Sequence, residues 1–197
     1  MTEIFRCPGC CGIPDAFGLG GFMENSTITV LKQRRSCKSF VPRKHLDWNV
    51  LRTILEAGTY APSSMGRQSA VMVVVEEPSL RDQLSIMNAA VDGRSGDPFY
   101  HAPTLVIVFA KGERIREDGS VVMANLLTAA AALDVGACWI HRAEQMFQTE
   151  EGRMLMKKWG LTEDYVGVAV CALGYPAQPP KAAAPRKPDY IRWDNLP

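Results

Sequence analysis

Apolar residues recur along this chain with two spacings, and the switches between them mark its elements. Val50, Leu51, Ile54 and Leu55 stand at helical spacing behind Asp47, a good N-cap, and this helix closes near Gly58. Ala70–Val75 reads as a buried strand, 104–109 as another, 166–173 as a core strand, and the short apolar run 137–140 as a fourth. Further helices are expected over 27–34, behind the polar lead-in Glu24-Asn25-Ser26-Thr27, and over 78–90, with proline in the first turn. Two more are expected over 118–133, capped by Asp118, and over 149–160, capped by Thr149 and ended by Gly160. Residues 61–66 and 92–101 are loops. Helices and strands mix without strict alternation, and no internal repeat is present.

The pattern fails at both ends. Residues 1–22 are rich in glycine and cysteine and have no periodicity, so they are set apart as an extension. Whether that extension is a mis-called start, a non-native piece or a genuine arm stays open. Residues 23–197 form one expected domain, and a chain begun at Met23 is expected to fold and work. At the other end, 176–188 is proline-rich and expected to run extended over a surface into the strand-like Tyr190-Ile191-Arg192-Trp193. A tail with so few local partners suits one that crosses to another subunit.

Composition adds limits. The chain has 197 residues, 47% of them hydrophobic, enough for a real core. Its formal charge of +1 gives no reason to expect a nucleic acid or a membrane as partner. Residues 121–140 are long and apolar, but Asn125, Thr128, Asp134 and Gly136 favour a buried helix followed by a strand. No secretory signal is convincing, and a cytoplasmic location is expected. Cys7, Cys10 and Cys11 form a Cys-x-x-Cys-Cys run, a spacing used for metals and disulfides. No further ligands for a zinc site lie nearby, so no metal is assigned.

Conventional catalytic motifs are missing. There is no Walker loop, no Gly-x-Gly-x-x-Gly turn and no Gly-x-Ser-x-Gly elbow, and His45, His101 and His141 fall at no metal-binding spacing. A cofactor that carries the reactivity fits better, because it asks only for cradling residues. Four segments offer a cradle. In Arg34-Arg35-Ser36-Cys37-Lys38, an extended chain puts Arg34, Ser36 and Lys38 on one face, suited to a phosphate and a second electron-rich group. The bland alternative is a helix end whose cations meet the negative dipole terminus. Pro62, Ser63 and Ser64 lie in a loop, and Asn88 carries an amide that can bond a heterocycle or cap its own helix. Cys138, Trp139 and Ile140 can line a ring, and Arg186 and Lys187 can complete a phosphate site or simply solvate the tail.

In order and spacing these segments resemble the shorter members of the nitroreductase family. The resemblance runs from about Val30 to about Trp193 and includes Gln68, the stretch Asp97-Pro98-Phe99-Tyr100-His101-Ala102-Pro103 and Gly174-Tyr175-Pro176. It implies an α+β fold, with a mixed or antiparallel sheet flanked by helices and a C-terminal tail exchanged in a homodimer. It also implies FMN at the subunit interface and NADH or NADPH as electron donor. Arg34 and Arg186 would hold the FMN phosphate, helped by Ser36 and Lys187, with Arg35 adjacent. Lys38 would sit near the flavin pyrimidine edge and Asn88 would bond the ring. Pro62, Ser63 and Ser64 would approach from the other subunit, and backbone at 138–140 would line the remaining side. The implied activity passes electrons through flavin N5 to a small electron-poor acceptor such as a nitroaromatic or quinone. The alternatives are a dehalogenase- or desaturase-type flavin enzyme, or a flavin-binding redox sensor using Cys7 and Cys10. One departure stands out: of the asparagine, glutamine, proline and tryptophan that many relatives carry at 66–70, only Gln68 is present.

Overall fold

The computed structural model describes residues 24–194. The Cys7, Cys10 and Cys11 run, and the expectations for residues 1–22, lie outside the described residues. Helix α1 (Ser26–Gln33) is capped by Asn25, whose Oδ1 accepts from the Ile28 amide at 2.9 Å. Helix α2 (Trp48–Thr59) is capped by Asp47 as expected. A short 3-10 turn (Ser64–Gly66) precedes β1 (Ala70–Val75). Then follow α3 (Pro78–Val91), β2 (Thr104–Ala110), α4 (Ile115–Ala132), β3 (Gly136–Ile140), α5 (Ala143–Gln148), α6 (Glu150–Lys158) and β4 (Val166–Gly174).

The four strands make one antiparallel sheet in the order β1-β2-β4-β3. Every residue of β2 is buried, which is why Leu105–Ala110 is apolar without alternation, both faces of the sheet being covered, while Thr104 at its start donates its hydroxyl to Glu76 at 2.8 Å. On one face Leu105, Ile107, Phe109, Val170 and Ala172 pack with α3, α5 and α6. On the other, Val106, Val108, Cys171 and Leu173 pack with α2 and α4. Cys171 is fully buried there, and loss of water pushes its thiol far above the ordinary range. Gly119 lets the first turn of α4 press on β4, since a Cβ would stand 2.5 Å from a Val168 methyl. Residues 121–140 form most of α4 and then β3, and no helix among the described residues is long and apolar enough to cross a membrane.

Three expectations change. Asp118 does not cap α4. The helix starts three residues earlier behind Arg114, which makes no side-chain cap bond, and Asp118 faces a loop instead. Helix α5 was not foreseen, because six residues hold too little periodicity to register. Residues 190–193 form no strand: 190 and 191 are bends, 192 and 193 are irregular, no strand pairs with them among the described residues, and Tyr190, Ile191 and Trp193 are exposed. Only the start of the tail touches the body. Phe40 bridges Pro176, and the Ala177 amide donates to the Ser39 carbonyl at 3.0 Å.

Candidate functional site

The segment after α1 lies along the outer edge of β3. Ser36 forms a parallel bridge with Ala137, and the Cys37 amide donates to the Ala137 carbonyl at 2.9 Å. Burial alternates over the first positions, with Cys37 buried and Ser36 and Lys38 exposed; Phe40, on the same alternate as those two, is buried instead where its backbone bridges Pro176. Arg34 and Lys38 act electrostatically on Cys138 in the adjoining strand. Burial raises that thiol above its ordinary range, and the two cations pull against the rise. Residues 34–38 and 138–140 are therefore one place in the fold. Arg35 turns away from it, donating to the Lys32 and Arg34 carbonyls at 2.8 and 2.6 Å, which satisfies the end of α1. Arg34 has no side-chain hydrogen bond or ion pair among the described residues.

Asn88 joins the same region from α3. It is fully buried, and its Nδ2 donates to the His141 carbonyl just past β3 at 2.8 Å, with Met146 Sδ at 3.1 Å. It caps no helix of its own; it pins α3 to the end of β3. Its Oδ1 is buried without a partner, and so is Nε1 of the half-buried Trp139. A cleft of about 360 Å³ opens here between Asn88, Tyr100, Trp139, Ile140, His141 and Arg142. Lys38 Nζ stands 5.9 Å from the centroid of the Tyr100 ring, within cation–π reach.

The wall bearing Tyr100 is held by Asp97. Its carboxylate pairs with Arg81 and accepts from Ser85 Oγ (2.8 Å) and from the amides of Phe99 (3.0 Å) and His101 (2.8 Å). That grip holds two successive left-handed residues, Tyr100 (φ 55°) and His101 (φ 63°). Burial alone would raise the Asp97 carboxyl, but Arg81, Ser85 and the two amides outweigh it and hold the carboxyl below the ordinary range. A depressed carboxyl stabilises the fold above its unfolded pKa, about 3.9, and that stabilisation is lost as pH falls through the lower folded value. Asp97→Asn is therefore expected to lower the melting temperature at neutral pH, by a loss of about 1–3 kcal/mol, with the deficit closing below the ordinary aspartate range. Melting curves of both proteins from pH 7 down to pH 2 measure this; a deficit that persists unchanged in acid would refute it.

The opposite rim is set by Arg142, which bonds Asp92 through Nε at 2.7 Å and through a second nitrogen. Arg142 is itself left-handed, with φ 77°. No spacing in the sequence links residues 50 positions apart, so this pair and the Asp97 network escaped a reading of the sequence. Asp97-Pro98 did stand in the family-like stretch, but only as a pattern.

Two predicted segments lie apart from this cleft in the single chain. Pro62, Ser63, Ser64 and Gln68 sit beside the start of α4, where the Gln68 amide donates to Ser63 Oγ at 2.8 Å. Arg186 and Lys187 lie in the exposed tail, and neither side chain bonds to the body among the described residues.

The fold is thus α+β, a four-stranded antiparallel sheet with a polar cleft beside its edge strand β3 and the cations Arg34 and Lys38 next to it. The family model described as Nitroreductase family matches residues 31–175. The chain belongs to that family and is an oxidoreductase on that ground. The crystal structure of a Bacteroides fragilis nitroreductase with bound FMN is 27% identical, with a TM-score of 0.78, covering 87% of this chain and 100% of that one. A Desulfitobacterium hafniense nitroreductase with bound FMN is 23% identical and shares the fold, with a TM-score of 0.78 over 88% of this chain and 100% of its own. A provisionally named NAD(P)H nitroreductase of Staphylococcus epidermidis is 26% identical over 218 residues, 87% of this chain and 98% of its own length.

Proposed function

We propose that this chain is an FMN-dependent oxidoreductase, working as a homodimer, that moves electrons from NADH or NADPH to a small electron-poor acceptor of the nitroaromatic or quinone class. The observation that carries this reading is that two of the three orphaned buried side-chain atoms among the described residues, Asn88 Oδ1 and Trp139 Nε1 (the third is Arg35 Nε), belong to residues that wall one cleft near Arg34 and Lys38. A buried polar atom without a partner costs stability, and these two, an acceptor and a donor, belong to residues that wall one cleft, which suits a heterocycle that offers both kinds of partner. The free guanidinium of Arg34 and the exposed Ser36 hydroxyl fit a phosphate.

Bound FMN supplies two-electron chemistry at its N5 atom. The chain's own residues bind and tune it. Arg34 and Ser36 hold the phosphate, joined by Arg186 and Lys187 when the tail docks. Lys38 places a fixed positive charge where the reduced ring gathers negative charge, favouring the reduced state. Asn88 orients the ring, and the strand backbone at 138–140 lines its edge. Pro62, Ser63 and Ser64 close the site from the partner subunit, which accounts for their distance from the cleft within one chain.

The test is the visible spectrum of the purified protein, followed by anaerobic titration with NADH and with NADPH, then addition of a nitroaromatic and of a quinone. Flavin absorption that bleaches with the nucleotide and returns with the acceptor is expected. Protein that stays colourless and leaves added FMN free would overturn the reading.

A further inference from the structure

We propose that Asp118 is a positioning residue that sets the 62–64 segment for the FMN of the partner subunit, an inference that rests on the reading above. Its carboxylate is buried in the first turn of α4, where it has no capping duty. Both oxygens reach out of the helix instead. Oδ1 accepts the Ser64 amide at 2.8 Å and Oδ2 accepts the Ser69 hydroxyl at 2.5 Å, so the two bonds bracket residues 65–68.

The other bonds of that stretch are local, from the Gln68 amide to Ser63 Oγ (2.8 Å), the Gly66 amide to the Ser63 carbonyl (3.0 Å) and the Arg67 amide to the Ser64 carbonyl (3.2 Å), so among the described residues Asp118 is what ties it to the body. Met65 (φ 55°), Gly66 (φ 67°) and Gln68 (φ 49°) are all left-handed, a conformation that methionine and glutamine adopt only under constraint. Met65 is 83% exposed, and Gly66, Arg67 and Gln68 are exposed too, so apolar burial does not fix the loop. The Asp118 base, by contrast, is rigid. Gly119 seats the same turn of α4 directly on Val168 of β4. The clamp therefore transmits the position of the sheet to Pro62, Ser63 and Ser64. The Ser69 hydroxyl and Ser64 amide hold the Asp118 carboxyl below its ordinary range despite burial, so it is anionic and accepts from both partners at neutral pH.

Asp118→Asn keeps the shape but presents an amide N–H to one of the two donors. It is expected to weaken FMN binding by about tenfold, the scale of a small misplacement at a site, with a smaller change for Ser69→Ala. A purely structural role would lower the apoprotein melting temperature in step and leave FMN affinity alone. The sharper readout is a mixed dimer of an Asp118→Asn chain with an Arg34→Ala chain, separated by different tags. A loop that serves the partner gives that dimer one intact site, made from wild-type Arg34 on one chain and a wild-type loop on the other. One tight FMN per mixed dimer is the expected result. No tight FMN in the mixed dimer, or wild-type affinity in the Asp118→Asn homodimer, would overturn the proposal. Failure of the underlying reading shows earlier and separately, as a wild-type chain that binds no FMN.

Discussion

Replacing Arg34 by alanine is expected to weaken FMN binding by about tenfold to a hundredfold while leaving the apoprotein's melting temperature unchanged. The first half follows from losing a charged hydrogen bond, roughly 1.5–3 kcal/mol. The second follows from the side chain's surroundings: among the described residues it holds nothing together. Arg35 makes the useful control, since it bonds the end of α1, and its replacement should cost helix stability more than affinity. Fluorescence titration of apoprotein with FMN, beside thermal melting, separates the two. Equal FMN affinities for wild type and Arg34→Ala would remove Arg34 from the phosphate site.

The second large effect concerns the tail. A chain ended after Gln178 keeps the Phe40–Pro176 bridge and the Ala177–Ser39 bond, so its body should fold as before. It loses Arg186, Lys187 and the exposed Tyr190, Ile191 and Trp193. Tyrosine and tryptophan carry about 150–250 Å² each. Buried on a partner at about 25 cal/mol per Å², the two are worth roughly 8–12 kcal/mol before the cost of ordering the arm removes most of it. The shortened chain should therefore dimerise at least about a hundredfold more weakly, a loss of some 3 kcal/mol net, and emerge with less FMN. Sedimentation velocity over a concentration series, with the flavin absorbance followed in the same cell, gives both quantities. A shortened chain that sediments as a flavin-loaded dimer would show that the tail is dispensable.

The strands and most helices were readable from the chain because their causes are local. Asp47 and Thr149 cap the helices they precede, and β2 is apolar from Leu105 to Ala110 because helices cover both faces of its sheet. Asp118 misled because an acidic residue before an apolar run has the look of a cap. Its real partners lie 54 and 49 positions away, in a loop whose sequence gives no sign of needing an anchor. The site divides the same way. The Arg34, Ser36 and Lys38 face followed from the two-residue repeat of an extended chain. The joining of that face to Asn88, the orphaned Trp139 nitrogen and the Asp92–Arg142 rim arises only when β3 is laid beside the chain entering the fold. Such meetings depend on strand order, which periodicity does not encode.

The strand order β1-β2-β4-β3 also bears on how the protein is made. β1 and β2 can pair as soon as both have emerged, but β2 and β3 never pair with each other; the second edge of β2 and the inner edge of β3 both wait for β4, the last of the four strands. Until β4 is in place, the two strand edges that it will cover stay open, one of them on the most apolar strand of the sheet. A central strand is thus the last of the four to be inserted, and the interval before it is when the growing chain is most open to wrong pairing.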